Sequence, residues 1–139
     1  MRLAQHHLSV KTDGTGMYEI TDEVAAWLAG LRAARGLLTL FIRHTSASLL
    51  IQENAAPEVR HDLENFLQRL VPEDPRLYRH DEEGPDDMPA HIKSALLPTQ
   101  LAIPVDGGRL LLGTWQGIYV VEHRRAPHRR EVALHFAGE

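Results

Sequence analysis

The sequence of 139 residues contains no cysteine, so disulfide cross-links, thiolate catalysis, zinc fingers and iron–sulfur clusters are all excluded. Aromatic residues make up only 6% of the chain, and aliphatic side chains must therefore fill most of the core. No uninterrupted apolar run approaches the roughly 20 residues that span a bilayer. The first residues also lack the apolar segment of a secretory signal. These absences predict a cytoplasmic protein without a membrane partner.

An excess of positive charge is missing as well. The chain has 15 basic and 19 acidic residues, a net charge of −4 with neutral histidine. A nucleic-acid-binding protein needs a basic field to meet phosphates, so we expect no nucleic acid partner. The negative charge is concentrated in residues 53–91, which hold eleven acidic and four basic residues. This segment is either a solvated acidic loop or a set of carboxylates gathered around a cation.

The chain does have nine histidines. Because cysteine is absent, any metal binding or acid–base chemistry must use His, Asp and Glu. Three stretches of sequence combine these residues with features that would fix them in space.

The length predicts one domain, residues 1–139. Short apolar or alternating runs predict strands, and the Asp106-Gly107 dipeptide predicts a hairpin between two of them. We also expect the last two strands to pair as a hairpin. The predicted strands are Leu3–Val10, Leu37–Ile42, Ser48–Ile51, Leu101–Val105, Leu110–Leu112, Ile118–Val121 and Val132–Phe136.

Apolar residues spaced by three and four predict the helices. One begins with Thr21 as its N-cap and ends at Gly36, and a second begins at Pro57. A short third helix follows Pro89, and residues 11–18 are expected to form a turn or loop. The order of elements predicts an α+β fold with a mixed or antiparallel sheet and helices on one side, in two layers.

The first candidate site, residues 43–48, lies at the end of a predicted buried strand. A sheet fixes the position of its strand ends while they open onto the surface, so His44 is well placed as a ligand or general base. Thr45 and Ser46 stand next to it. A serine nucleophile is the weaker interpretation, because neighbours in a strand point to opposite faces. The alternative is that His44 is an ordinary half-buried residue.

The second candidate, residues 79–91, contains five carboxylates and the two histidines His80 and His91. Neighbouring carboxylates repel one another, and this repulsion is tolerated only when solvent or a bound cation offsets it. Zinc and manganese accept imidazole together with carboxylate. The spacing matches neither a calcium-binding loop nor a His-Glu-x-x-His helix. The segment is therefore either a divalent metal site or a flexible acidic loop.

The third candidate is residues 113–125. Two glycines surround Thr114, Trp115 and Gln116, which predicts a tight turn whose N–H groups can face an anion. Glu122, His123 and a basic cluster then follow a predicted strand. The cluster either binds phosphate or pairs with the acidic segment of its own or another subunit. It consists of Arg124, Arg125, His128, Arg129 and Arg130.

These blocks, in this order, resemble the YjbQ family, also known as uncharacterised protein family 0047. The resemblance covers nearly the whole chain, and Gly-Thr-Trp-Gln is its most specific element. It implies a small α+β fold that assembles as a homotrimer. The matching blocks are His44–Ala47, Ile51–Asn54, His80-Asp81, Asp86–Ser94, Gly113–Ile118 and Glu122–Arg124.

The resemblance also implies an activity. The family is described as secondary thiamine-phosphate synthase, which joins a pyrimidine diphosphate to a thiazole phosphate and releases pyrophosphate. The expected partner is therefore a small phosphorylated molecule. The expected cofactor is a divalent metal, and a histidine-rich set suits zinc or manganese better than magnesium.

The blocks and the resemblance together give the expected site. The expected catalytic residues are His44, Asp81, His91 and His123. The expected substrate-binding residues are Thr45, Ser46, Asn54, Thr114, Gln116 and Arg124. The expected metal ligands are His44, His80, His91, Glu122 and His123. Two other functions remain open: a metal-dependent hydrolase, and a non-catalytic trimeric protein that binds a ligand or metal.

Overall fold

The structure, a computed structural model, describes all residues, 1–139. Its strands are β1 Arg2–Thr12, β2 Gly16–Glu19, β3 Arg35–Ile42, β4 Ala47–Glu53, β5 Gln100–Asp106, β6 Arg109–Leu110, β7 Gln116–Glu122 and β8 His128–Gly138. Its helices are α1 Thr21–Leu31, α2 Pro57–Leu70 and α3 Asp87–Leu96, with a 3₁₀ turn at Pro75–Leu77. None of these helices has the length and apolar character needed to cross a membrane.

The strands form two antiparallel sheets, which confirms the predicted α+β class. The larger sheet has the order β1-β8-β3-β5-β6 and the smaller one β2-β7-β4. One apolar core joins both sheets to α1. Its fully buried members include Val24 and Leu28 of α1, Leu38 and Leu40 of β3, Val120 of β7 and Phe136 of β8.

The predicted hairpin between Ile118–Val121 and Val132–Phe136 is wrong. The first run lies in β7, which pairs with β2 and β4 in the smaller sheet. The second lies in β8, which pairs with β1 and β3 in the larger sheet. The first run is buried throughout and the second alternates buried with half-buried residues, and neither pattern carries a local signal of which strand it pairs with. The predicted Asp106-Gly107 hairpin is confirmed, because its pairing depends on the turn alone.

The ends of the first helix also differ from expectation. Thr21 is the first helical residue rather than the N-cap, and its hydroxyl accepts the Ile118 N–H at 2.9 Å. The helix ends at Leu31, and Arg32 takes the left-handed conformation with φ 54°. Gly36 lies inside β3, where a Cβ atom would stand 2.4 Å from the carbonyl oxygen of Ala137. Glycine is therefore needed there for close strand approach, not for helix termination.

Two further boundaries are corrected by contacts that are distant in sequence. Residues 11–18 are mostly strand, because β1 continues to Thr12 along β8 and β2 pairs with β7. The third helix begins at Asp87 and not after Pro89. A proline is tolerated there because the N–H groups of the first helical turn have no partner within the helix.

Antiparallel pairing brings four strand ends to one edge of the molecule. Ile42 of β3 pairs with Val132 of β8, and Ala47 of β4 pairs with Glu122 of β7. Helix α3 packs against β4 at the same place. The loop after β3, the residues after β7 and the start of α3 are thereby held close together.

Candidate functional site

Four side chains at the start of α3 form a compact cluster of metal-binding groups: His80, Glu83, Asp87 and His91. One ligand atom from each lies within 4.8 Å of all the others. Asp87 is buried at the centre, and its Oδ2 is 2.8 Å from Nε2 of His80 and 3.3 Å from Nε2 of His91. His80 and Glu83 are exposed, so solvent reaches the cluster from one side. We call these four residues the α3 cluster.

Arg124 fixes the acidic part of this cluster. Its Nη1 donates to Asp87 Oδ1 at 2.6 Å, and its Nε donates to Asp86 Oδ2 at 3.1 Å. Burial would raise the pKa of Asp87, but the hydrogen bond from His80 and the charges of His91 and Arg124 outweigh it. The pKa of Asp87 therefore lies below its usual value. Asp87 is ionised at neutral pH, as a metal ligand must be.

The backbone fixes the tautomer of His91. Its Nδ1 lies 3.1 Å from the carbonyl oxygen of Thr45, and a carbonyl only accepts, so Nδ1 carries a hydrogen. The other ring nitrogen, Nε2, lies 3.3 Å from the Asp87 carboxylate. A cation between this nitrogen and the carboxylate, either a proton or a metal ion, makes the contact favourable. An Nδ1–H donated to a carbonyl, with Nε2 free, is the usual arrangement of a metal-bound histidine.

His91 also borders a cleft of about 770 Å³. The cleft lies between the loop after β3 and the outer face of α3, and half-buried or exposed polar side chains occupy one wall. His91 lines the cleft and is also a member of the α3 cluster. A molecule bound beside His91 in the cleft therefore contacts the α3 cluster directly. The polar lining residues are Arg43, His44, Thr45, Ser46, His91, Ser94 and Thr99.

His44 lines the cleft but is not part of the α3 cluster. Its Nε2 accepts the backbone N–H of Glu131 at 2.8 Å, and its Nδ1 lies 3.3 Å from Nη1 of Arg130. Burial and the charge of Arg130 lower the pKa of His44. The ring is therefore neutral at pH 7, with Nε2 occupied and Nδ1 carrying its hydrogen. Because its Nε2 lone pair is already taken by the Glu131 N–H, this nitrogen is not free to bind a metal.

Glu122 and His123 lie deeper in the protein. Glu122 is fully buried, accepts hydrogen bonds from Arg130 and Thr12, and is not a member of the α3 cluster. His123 is also buried, and its Nε2 lies 2.9 Å from the hydroxyl of Ser48. The structure therefore brings His80 and His91 together, but not His44, Glu122 and His123 with them.

The remaining expected residues are spread more widely. Asp81 is exposed and outside the α3 cluster, although it follows His80 directly. Asn54 binds Glu19, and Gln116 closes the 113–117 turn by accepting the Gly113 N–H at 2.7 Å. With Thr114, they lie at the end of β7 opposite to Glu122. Six residue steps of a strand place the two ends about 20 Å apart.

Glu83 and Asp87 belong to the α3 cluster but were not among the expected ligands. Both lie in the acidic segment 79–91, where the sequence shows five carboxylates without distinguishing them. The usable signal was helical spacing, because Asp87 and His91 are four residues apart and therefore share a helix face.

Comparison with known proteins finds relatives along nearly the whole chain. A family model described as "UPF0047 protein YjbQ-like" matches residues 6–139. A UPF0047 protein of Synechocystis is 51% identical over 99% of this chain and 94% of its own length. The UPF0047 protein YjbQ of Escherichia coli O157:H7 is 46% identical over 97% of this chain and 98% of its own.

Solved structures give the same result for the fold. The crystal structure of a hypothetical protein from Aeropyrum pernix superposes with a TM-score of 0.87 and 31% identity, covering 98% of this chain and 99% of that one. A conserved hypothetical protein from Thermus thermophilus superposes with a TM-score of 0.85 and 36% identity, covering 95% and 99%. The chain therefore belongs to the YjbQ (UPF0047) family.

Proposed function

We propose that this protein is a divalent-metal-dependent enzyme acting on phosphorylated small molecules, with a secondary thiamine-phosphate-synthase activity. The reaction would join a pyrimidine diphosphate to a thiazole phosphate and release pyrophosphate. The observation that carries the proposal is the convergence of ligand atoms from His80, Glu83, Asp87 and His91 within 4.8 Å, on the border of the cleft.

The chemistry of the α3 cluster supports a metal ion. Its two imidazole nitrogens and two carboxylates are donors that zinc and manganese accept, while magnesium prefers oxygen ligands alone. The departing pyrophosphate carries the electron pair of the broken bond, and a divalent ion and arginine are the usual means of neutralising it. Arg43 on the cleft wall supplies such an arginine, and Thr45 and Ser46 supply hydroxyls for substrate oxygens.

Metal content tests the site. Replacing His91 or His80 with alanine removes a ligand, so we expect the affinity for zinc or manganese to fall about tenfold or more. The matched control is His61→Ala, because His61 is an exposed histidine of α2 outside the α3 cluster. Plasma mass spectrometry of the purified proteins and a competition titration give the measurement. Undiminished metal in both His91→Ala and His80→Ala would overturn the metal site.

The same variants test the reaction. Pyrophosphate release from the two thiamine precursors is expected to fall at least tenfold in His91→Ala and to persist in His61→Ala. A hydrolase is the second candidate, because the exposed side of His80 and Glu83 lets water reach a bound metal. Omitting the thiazole phosphate separates the two, since a hydrolase releases pyrophosphate without it. Stoichiometric metal without turnover of either kind would support a binding protein.

We also propose that the protein assembles as a homotrimer. Helix α2 is amphipathic yet has no buried residue, and its Phe66 and Leu70 are each 53% exposed. Trp115 in the 113–117 turn is 62% exposed. Other copies of the chain would cover such surfaces. Light scattering is expected to give three times the chain mass, and a monomer at micromolar concentration would contradict this proposal.

A further inference from the structure

A second cavity lies on the opposite side of α3 from the α3 cluster. Its volume is about 220 Å³, and it is enclosed by α2, α3, the end of β7 and the turn before β2. His91 and Lys93 are two residues apart on α3, which places them about 200° apart around the helix axis. The helix thus presents His91 to the cleft and Lys93 to this second cavity. Its polar lining includes Thr15, Glu64, Gln68, Lys93, Glu122 and His123.

Lys93 is a buried cation with too few partners. The residue is only 4% exposed, and its Nζ makes one long hydrogen bond of 3.4 Å to Gln68 Oε1. It forms no salt bridge. An ammonium group has three N–H donors, so two of them have no acceptor in the chain. The carboxylates whose charges reach it, Glu73 and Asp86, form no salt bridge with it.

His123 adds a second buried group to the same cavity. It is 3% exposed, its Nε2 meets the Ser48 hydroxyl, and its Nδ1 has no partner in the chain. When the Ser48 hydroxyl donates to Nε2, the ring hydrogen is on Nδ1 and a donor faces the cavity. In that tautomer His123, like Lys93, supplies a donor without an acceptor.

The carboxylates of the lining do not neutralise Lys93. Glu122 already receives hydrogen bonds from Arg130, from Thr12 and from the backbone of Arg124. Glu64 is half-buried and makes no salt bridge with the lysine. The cavity is thus a small space in which Lys93 is the one cation, and its free N–H groups have no partner in the chain.

We propose that this cavity binds a small oxyanion, a phosphate or a carboxylate group. Its oxygens would accept the free N–H groups of Lys93 and the Nδ1–H of His123, and its charge would neutralise the buried ammonium. The volume holds one such group with a short organic substituent. The proposal is independent of a metal, because none of these residues belongs to the α3 cluster.

The chain contains only two lysines, and this makes a direct test possible. Lys11 is exposed on β1 and is the internal control. Protein labelled with ¹³C at the lysine Cε gives two side-chain signals, which are followed by NMR in metal-free buffer. Titration with inorganic phosphate is expected to shift the Lys93 signal to saturation and to leave that of Lys11 in place. Sodium chloride at matched ionic strength should move neither, and sodium acetate shows whether a carboxylate suffices.

Matched variants complete the test. Phosphate is expected to raise the Tm of the wild type and of Lys11→Met, as a ligand of the folded state does. Lys93→Met is expected to bind phosphate at least tenfold more weakly by calorimetry and to lose this rise. Its Tm without phosphate should not fall below that of the wild type, because the substitution removes an unpaired buried charge.

Two results would overturn the proposal. One is a Lys93 signal that neither phosphate nor acetate moves, including the case in which phosphate binds only at the cleft. The other is a lower Tm for Lys93→Met in phosphate-free buffer, which would mean that Glu73 and Asp86 already neutralise the lysine. Neither result bears on the metal content of the α3 cluster, so this proposal and the proposed function fail separately.

Discussion

Replacing Arg130 with methionine is expected to lower the free energy of unfolding by about 3–5 kcal/mol, because it leaves a buried carboxylate without its counter-charge. Glu122 is fully buried and the side chain of Arg130 is 4% exposed. Arg130 Nε donates to Glu122 Oε1 at 2.7 Å, and Thr12 donates to the same oxygen at 2.6 Å. Burial would raise the pKa of Glu122, but these bonds hold it below its usual value, so the group is ionised.

Urea unfolding at pH 7 measures this effect. The matched control is Arg35→Met, because Arg35 pairs with Asp106 at 3.2 Å on the surface, where an ion pair contributes about 0–1 kcal/mol. The double variant Arg130→Met with Glu122→Leu removes both charges and is expected to recover much of the loss. A loss for Arg130→Met no larger than that of Arg35→Met would contradict the expectation.

The same ion pair positions one wall of the cleft. Nη2 of Arg130 donates to the backbone oxygen and to the hydroxyl of Ser46, at 3.2 and 3.0 Å. Its Nη1 lies beside His44. The Glu122 carboxylate orients this guanidinium, and the guanidinium in turn supports the loop that carries His44. Glu122 therefore acts on the candidate site through Arg130 and not as a ligand.

The elements that the sequence predicts well are those whose formation depends on residues close together in the chain. Helix α2 begins at Pro57 as predicted, and the apolar run Leu37–Ile42 lies within β3. The pairing of β7 with β2 and β4 has no such local cause, since it depends on residues roughly 60 to 110 positions away. Side-chain periodicity states which face of a strand is apolar, and says nothing about its neighbours.

The residues of the candidate site also fall into a group that the sequence predicts and a group that it does not. The α3 cluster comes from residues 80–91, where charge density and helical spacing are both visible in the sequence. His44, Glu122 and His123 do lie at one edge of the molecule, as their positions at strand ends suggest. Their side chains turn towards Arg130 and Ser48 instead of the α3 cluster. Orientation at a strand end is decided by tertiary hydrogen bonds, and no pattern in the sequence records it.

Lys93 gave no signal of its own. One lysine in an amphipathic helix is typical of a solvated position, and its burial follows from the packing of α3 against β4 beneath α2. Helical geometry would have placed it opposite His91. The depth of the cavity it faces depends on where α2 lies.

Acidification from pH 6.5 to pH 4 is expected to reduce stability by about 3 kcal/mol through His123 alone. Burial, aided by the charge of Lys93, lowers the pKa of His123 from 6.5 to about 4, and each pKa unit corresponds to about 1.4 kcal/mol. Between these two values the unfolded chain binds a proton that the folded protein excludes. Stability therefore rises with pH across this range, is complete above pH 6.5 and is lost towards pH 4.

Other titratable groups also make stability depend on pH. They act mainly at other pH values, or their effect can be removed by substitution. The buried carboxylates Glu122 and Asp87 have pKa values below their ordinary values of 4.5 and 3.8, so their contribution begins to be lost only as the pH falls towards those values, at the lower end of this range and beyond it. His44 also has a lowered pKa and acts within the same range, which His44→Gln removes. Urea unfolding at pH 7, 5.5 and 4.5 should show a steep slope in the wild type and in His61→Gln, and a shallow one in His123→Gln. The Cε1–H signal of His123 in NMR should titrate near pH 4, and titration near 6.5 would mean that water or an anion reaches the ring.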